Sequence, residues 1–173
     1  EPVPMSPVLF CLAHFAVLAY ALVGGVFLAF SDFIMRALSV TSGHGGAEAM
    51  QAINREVFRW VFMVLFLGLA PVSLLIAAYG AIVVENGPGT MMVLAGLTYF
   101  VGCFGVTVFF NVPMNQTLAG MEASPDATLD YWTRTYLPGW TFWNTVRTVA
   151  CGLSAALLLV SLIWAVQSQA QAV

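Results

Sequence analysis

The feature that most constrains this chain is a series of four long apolar runs. They cover roughly residues 7–30, 57–84, 90–110 and 139–166. A helix of about 20 apolar residues crosses a bilayer core about 30 Å thick. Each run is long enough for one transmembrane helix. We therefore predict an all-α integral membrane protein in which four spans form an antiparallel bundle.

The composition agrees with this interpretation. Hydrophobic residues make up 61% of the 173 residues and charged residues only 8%, whereas about a quarter of the residues in a soluble domain are charged. The spans and their short ends use most of the chain, which predicts one membrane domain over residues 1–173. The first run is longer than the core of a signal peptide, and we expect it to be retained as a span.

The arginines predict an orientation for this bundle. Arg36, Arg55 and Arg59 flank the connection between the first two spans, and Arg134 and Arg147 flank the connection between the last two. By the positive-inside rule, both connections face the cytoplasm and both termini face the other compartment. The chain has no lysine, which argues against nucleic acid as a partner and leaves the lipid bilayer.

One polar face opens the last apolar run. Trp140, Trp143, Asn144 and Arg147 recur at helical spacing and so share one side of a helix. Two interpretations are open. These residues could form an ordinary interfacial belt with Arg147 at the membrane surface. Alternatively, Arg147 is packed inside the bundle, where a buried cation needs an anion, carbonyl groups or a ligand.

A second polar stripe precedes the second apolar run. It contains Gln51, Asn54, Arg55 and Arg59 at positions that share one helix face. Long arginine side chains can reach the headgroups from such a stripe, which would make it a simple interface. The side chain of Asn54 is too short to reach the headgroups, and this favours a polar site instead of a simple interface.

The third apolar run ends in residues 109–118, which contain Asn111, Pro113 and Asn115. Proline removes a backbone donor, so we expect Pro113 to end the helix and leave nearby carbonyl groups free to face a cavity. The two asparagines are then predicted to lie at the same membrane level as Asn54 and Asn144.

The first span carries three further features. Ala21, Gly25 and Ala29 form a small-residue ridge, which predicts a helix-packing face. Asp32 and Arg36 stand four residues apart in the order that favours an ion pair. His14 is predicted either to form a hydrogen bond with a neighbouring helix or to act as an axial ligand or proton carrier.

Cysteine and histidine spacing predicts no metal site. Cys11, Cys103 and Cys151 lie in three different spans without a C-x-x-C pair, which is typical of free cysteines packed as small apolar side chains. His44 lies in a glycine-containing loop without a second ligand at metal-binding spacing.

Four stretches together resemble a known family. Residues 24–38, 49–54, 110–119 and 132–147 are similar to the small four-helix membrane proteins of the anthrone oxygenase family, many bacterial members of which are catalogued only as a domain of unknown function. The resemblance implies oxidation of an anthrone methylene, or of another lipophilic aromatic substrate, to a carbonyl with O₂ and without an obvious cofactor. For a bacterial member, the membrane would be the inner (plasma) membrane.

The resemblance also implies one site at the cytoplasmic end. Its catalytic candidates are Arg147, Asn144, Asn111 and Asp32. Its substrate-binding candidates are Arg36, Gln51, Asn54, Asn115, Trp140 and Trp143, with Phe110 as a further flat wall. The arginine and the amides would stabilise an enolate or superoxide oxygen. Asp32 is the carboxylate whose membrane level is closest to that of these residues, which makes it the candidate general base. Its pairing with Arg36 competes with that role.

Two other functions remain open from the sequence. His14 stands ten residues before Gly24, a spacing that resembles membrane protoporphyrinogen oxidases and haem-binding bundles and would make the chain a haem or quinone carrier. Alternatively, its small-residue ridges dock it as a non-catalytic subunit in a larger membrane complex or a homo-oligomer.

Overall fold

A computed structural model describes residues 6–84, 86–121 and 125–170, and all regular structure in these ranges is helical. Helix α1 is Pro7–Ser39, α2 is Gly45–Glu56, α3 is Val61–Ile82 and α4 is Asn86–Ala119. Helix α5 consists of Pro125–Tyr131, Trp132–Tyr136 and Leu137–Ala170 in one continuous rod. The four long helices are each apolar enough to cross a membrane. The predicted all-α class with four spans is confirmed.

Three of the long helices contain π-helical turns. These turns are Phe30–Ile34 in α1, Phe100–Gly105 and Thr107–Asn111 in α4, and Trp132–Tyr136 in α5. The expectation that Pro113 ends the third helix is wrong. Pro113 lies in the first turn of the segment Val112–Ala119, directly after a π turn. The shifted hydrogen bonding lets the helix pass the missing N–H.

The four long helices close into a ring. Helix α1 packs on α3 and α5, and α4 packs on the other sides of the same two helices. Helix α2 lies at the end of the bundle where α1 and α4 finish and α3 and α5 begin, and it packs on the last turns of α4. Which side of the membrane this end faces stays a prediction.

The packing face of α1 differs from the one expected. Ala21 and Gly25 are exposed, while Gly24 is buried. A Cβ atom added to Gly24 would meet the Cβ of Cys151 at 2.9 Å, whereas one added to Gly25 would meet nothing within 4 Å. Neighbouring positions on a helix point about 100° apart, so the close approach of α1 and α5 uses one glycine and leaves the other facing outward.

Buried polar groups join the helices across the core. The hydroxyl groups of Tyr20 and Ser73 are 2.6 Å apart between α1 and α3. Tyr99 in α4 donates to the Phe66 carbonyl of α3 over 2.8 Å. These hydroxyl groups are paired where water is excluded, which lowers the cost of burying them in a membrane interior.

Candidate functional site

Arg147 lies inside the bundle and not at its surface. Its side chain is 4% exposed. Nη2 donates to Asn144 Oδ1 over 2.7 Å and Nη1 donates to Thr107 Oγ1 over 3.2 Å. The guanidinium carbon stands 4.1 Å from the centre of the Phe27 ring and 5.2 Å from that of Trp140. These contacts orient the cation and stabilise it through aromatic faces.

Within the part of the chain that the structure describes, the charge of Arg147 has no carboxylate beside it. Every ion pair found in residues 6–84, 86–121 and 125–170 belongs to another arginine. The Nε group of Arg147 is buried and has no hydrogen-bond acceptor. A desolvated cation with a spare donor is costly unless it binds something electron-rich.

Asn144 connects this cation to α1. Its Nδ2 donates to the Phe27 carbonyl and to Ser31 Oγ, each over 2.7 Å. Ser31 lies in the π turn Phe30–Ile34 of α1 and Phe27 lies three residues before that turn. The Ser31 hydroxyl is also 2.9 Å from Thr145 Oγ1. Because both amide protons are used in this way, the Asn144 carbonyl is left aimed at Arg147.

A second polar cluster lies nearer the end of the bundle. Asn115 Oδ1 accepts from the Tyr136 hydroxyl over 2.7 Å and from Trp140 Nε1 over 2.9 Å. Asn54 Nδ2 donates to the same tyrosine oxygen over 3.3 Å. Helices α2, α4 and α5 thus meet at one hydroxyl group.

Tyr136 was missed as a site residue by the sequence interpretation. Its signal was present, because Trp132, Tyr136 and Trp140 recur every four residues and therefore line one helix face. In the structure these three rings stack in sequence, with centroids 5.4 and 6.1 Å apart.

A cavity of about 90 Å³ lies beside Arg147. Its polar lining comes from Arg147, Thr107, Asn54 and Asn115. The remaining walls are apolar and rich in aromatic rings, and they include Phe27, Phe30, Phe62, Phe66 and Trp140. Among the described lining residues, Val26 and Phe58 have exposed side chains. One cation in an apolar, aromatic cavity of this volume suits the oxygen-bearing ring of a flat ligand, whose further rings would extend past Val26 and Phe58.

Comparison of the sequence with known families agrees with this geometry. Residues 57–157, more than half of the chain, match the family described as anthrone oxygenase. The chain belongs to the anthrone oxygenase family. The matched segment contains Arg147, Asn144, Thr107, Asn115 and Trp140, while α1 and α2 lie outside it. No curated protein and no solved structure gives a significant match.

Gln51 and Asn111 stabilise the surroundings of this anthrone oxygenase family site. Gln51 Nε2 donates to the Leu118 carbonyl over 2.8 Å, which joins α2 to α4. Asn111 Nδ2 donates to the Trp140 carbonyl over 3.3 Å, and its buried Oδ1 has no partner. Neither side chain lines the cavity beside Arg147.

Four of the predicted site residues lie apart from the cavity: Asp32, Arg36, Trp143 and Phe110. Asp32 and Arg36 form an exposed pair 3.4 Å apart, with side chains that are 67% and 76% exposed. Arg36 lines a separate, open groove between α1 and α5. Trp143 stacks on Phe110, with ring centroids 3.6 Å apart. The flat walls of the cavity come from other rings, mainly on α1 and α3.

His14 lies away from this family site, in the first half of α1. Its ring is exposed, and Nδ1 is 2.8 Å from the Phe10 carbonyl of its own helix. Within the described ranges, His, Cys, Asp and Glu side chains do not come together in groups of three or more that could hold a metal ion. Cys103 and Cys151 are free thiols with sulfur atoms 3.4 Å apart.

Proposed function

We propose that this member of the anthrone oxygenase family binds a flat, lipophilic phenol or enol beside Arg147 and stabilises its anion for reaction with O₂. The observation that carries the proposal is a buried guanidinium that faces an aromatic cavity, has a spare Nε donor and has no carboxylate beside it in the described part of the chain. In a water-excluded site such a group stabilises developing negative charge strongly.

For an anthrone substrate the reaction balances with O₂ alone. The methylene group, which is conjugated through the rings with the ketone once deprotonated, loses one proton to give an enolate. The enolate then passes one electron to O₂. A C–O bond then forms at the former methylene carbon, and loss of water leaves the second carbonyl. One anthrone and one O₂ become one anthraquinone and one water, and both methylene hydrogens end in that water.

In this proposal Arg147 holds the substrate oxygen while it is negative. Asn144 fixes the orientation of the guanidinium through the 2.7 Å hydrogen bond to Nη2. Phe27 and Trp140 stack on the cation and form part of the wall against which a polycyclic ring lies. A substrate bound as its enol tautomer has to lose only one hydroxyl proton, which leaves past Asn54 and Asn115 toward the end of the bundle, and Arg147 stabilises the anion that remains. Asp32 as general base stays a prediction.

We also propose that the site faces the cytoplasm, in the inner membrane of a bacterium. All five arginines lie in or beside the two connections at this end, and the chain has no lysine. That distribution follows the positive-inside rule.

Oxygen uptake by the purified protein in mild detergent tests the activity. We expect an anthrone to be converted to anthraquinone faster than by autoxidation. Arg147→Met should lower kcat/KM by about 100-fold or more. The matched control is Arg134→Met, since Arg134 is 79% exposed and paired with Asp130. Equal rates for the two variants, or no uptake above autoxidation, would contradict the proposal.

A binding measurement separates ligand recognition from turnover. A hydroxyanthraquinone is a suitable probe, because it cannot be oxidised further at the same carbon and its phenolate absorbs at longer wavelength than the neutral form. We expect the wild type to shift the bound probe to the phenolate spectrum at a pH where the free probe is neutral. Arg147→Met should bind only the neutral form. A non-catalytic accessory subunit would cause no shift.

A further inference from the structure

We propose that the ligand enters the Arg147 cavity from the bilayer, as a neutral molecule, through a gap between α1 and the start of α3. This gap, framed by Val26 and Phe58, is called the lateral opening below. The inference rests on the proposed function, because it takes the ligand to be an ionisable aromatic molecule. It adds the route, and with it the class of ligand: a membrane-dissolved weak acid that ionises only inside the protein.

The exposure of the cavity walls indicates the lateral opening. Of the lining residues in the described ranges, Val26 is 41% exposed and Phe58 is 67% exposed, and the others are buried or half-buried. Both exposed residues are apolar. The polar groups of the cavity, including Arg147 and Asn115, lie behind them. A ligand therefore passes apolar side chains before it meets the cation.

The opening lies at the boundary between headgroups and hydrocarbon, because Phe58 adjoins the exposed Glu56–Arg59 ion pair while Val26 lies deeper. Val26 stands six residues before Asp32 on α1, a distance of about 9 Å along the helix axis. Asp32 and Arg36 form an exposed ion pair, which belongs at the aqueous or headgroup level. Val26 lies further into the long apolar run of the first span.

The side of the cavity toward the end of the bundle is covered by α2. Met50 of this helix lines the cavity and is 1% exposed. Two hydrogen bonds fasten α2 in place, from Gln51 Nε2 to the Leu118 carbonyl and from Asn54 Nδ2 to the Tyr136 hydroxyl. Entry from water would require this helix to move.

The deeper side is closed as well. Phe27 packs edge-on against Phe62 and Phe66, with ring centroids 5.6 and 6.3 Å apart. Beyond them, the hydroxyl groups of Tyr20 and Ser73 join α1 to α3. Within the described residues, the exposed part of the cavity lining along these two helices is therefore at Val26 and Phe58.

Charge decides which form of the ligand uses this route. An anion would lose its hydration at the apolar opening before it reached Arg147, which is costly. The neutral form avoids that cost. Binding then converts one neutral ligand into one bound anion, and the proton leaves on the α2 side of the cavity, where the polar groups of Asn54 and Tyr136 lead toward the end of the bundle.

Stopped-flow binding of the hydroxyanthraquinone probe to the protein in lipid nanodiscs tests the route. We expect Val26→Trp to narrow the opening and to lower the association and dissociation rates together by about tenfold, because a barrier on the path slows both directions. The dissociation constant should change little. Leu28→Trp is the control, since Leu28 is 54% exposed but does not line the cavity.

A second variant, which should raise the two rates, keeps the test valid if Val26→Trp fails to fold. Phe58→Ala widens the opening and should raise both rates, while Phe33→Ala, at a residue 56% exposed and outside the cavity lining, should not. With the wild type alone, the rate should follow the amount of probe per lipid and not the free probe in water.

The outcomes are distinguishable. Unchanged rates in Val26→Trp and Phe58→Ala, or a rate that follows free aqueous probe, overturn the lateral route and leave the anion site standing. A wild type that never shifts the probe spectrum overturns the proposed function and this inference with it.

Discussion

Arg147 Nη2 donates a hydrogen bond of 2.7 Å to Asn144 Oδ1, from one turn of α5 to the next. The acceptor is an amide and carries no charge. The bond therefore orients the guanidinium without neutralising it, and the positive charge remains available to a ligand. Since Asn144 is itself held by Phe27 and Ser31, the orientation is set by α1 as well as by α5.

Asn144→Asp should neutralise the charge of Arg147 while keeping the shape of the side chain, although the two hydrogen bonds donated to Phe27 and Ser31 are lost. The new carboxylate would take the place of the ligand anion beside Arg147, and we expect affinity for the phenolate form of the probe to fall by about tenfold or more. The measurement is the phenolate absorbance of the bound probe. Thr145→Val serves as control, because it removes the hydroxyl group that lies 2.9 Å from Ser31 Oγ and leaves Asn144 unchanged. Undiminished phenolate binding by the aspartate variant would mean that Arg147 does not hold the anion.

Arg147→Met should lower activity without lowering the free energy of unfolding. The substitution removes a buried charge that no carboxylate in the described ranges neutralises, and this gain offsets two lost hydrogen bonds worth about 1–3 kcal/mol each. We expect the free energy of unfolding in detergent to stay within about 1 kcal/mol of wild type or to rise. Leu158→Ala, at a fully buried residue, measures how much unfolding free energy is lost when a cavity is made in the core. A loss as large as that one would show that the arginine stabilises the fold.

The two adjacent glycines of α1 make a matched pair. Gly24→Ala forces a Cβ to within 2.9 Å of Cys151 Cβ, whereas Gly25→Ala meets nothing within 4 Å. We expect Gly24→Ala to lose about 1–3 kcal/mol. Gly25→Ala should be neutral or gain up to about 1 kcal/mol from helix propensity. Thermal unfolding of both variants in the same detergent measures the difference, and equal melting temperatures would contradict the packing of α1 on α5.

Asp32→Asn tests the sequence prediction that Asp32 acts as general base. Because its carboxylate is 67% exposed, paired with Arg36 and outside the cavity lining, we expect oxygen uptake to be unchanged. Stability should change by no more than about 1 kcal/mol, as for other exposed pairs. Asp130→Asn removes a comparable exposed pair with Arg134 and is the control. A large loss of activity in the Asp32 variant alone would restore the base assignment.

Much of the fold could be predicted from residue patterns because the membrane limits the choices. A run of about 20 apolar residues has to satisfy its own backbone, and a helix does so. The family resemblance also named Arg147, Asn144, Asn54, Asn115 and Trp140, which the structure brings to one end of the bundle. The helix ends were less predictable, since π turns carried α4 past Pro113.

What the sequence by itself determined was therefore the number of spans, their helical nature and the collection of polar residues at one end. The tertiary structure decided which of those residues share a cavity. Burial of Arg147, the contact of Gly24 with α5 and the stacking of Trp143 on Phe110 all depend on how each helix is rotated about its axis. That rotation is set by contacts between segments distant in the chain. The residue pattern within one helix does not predict it.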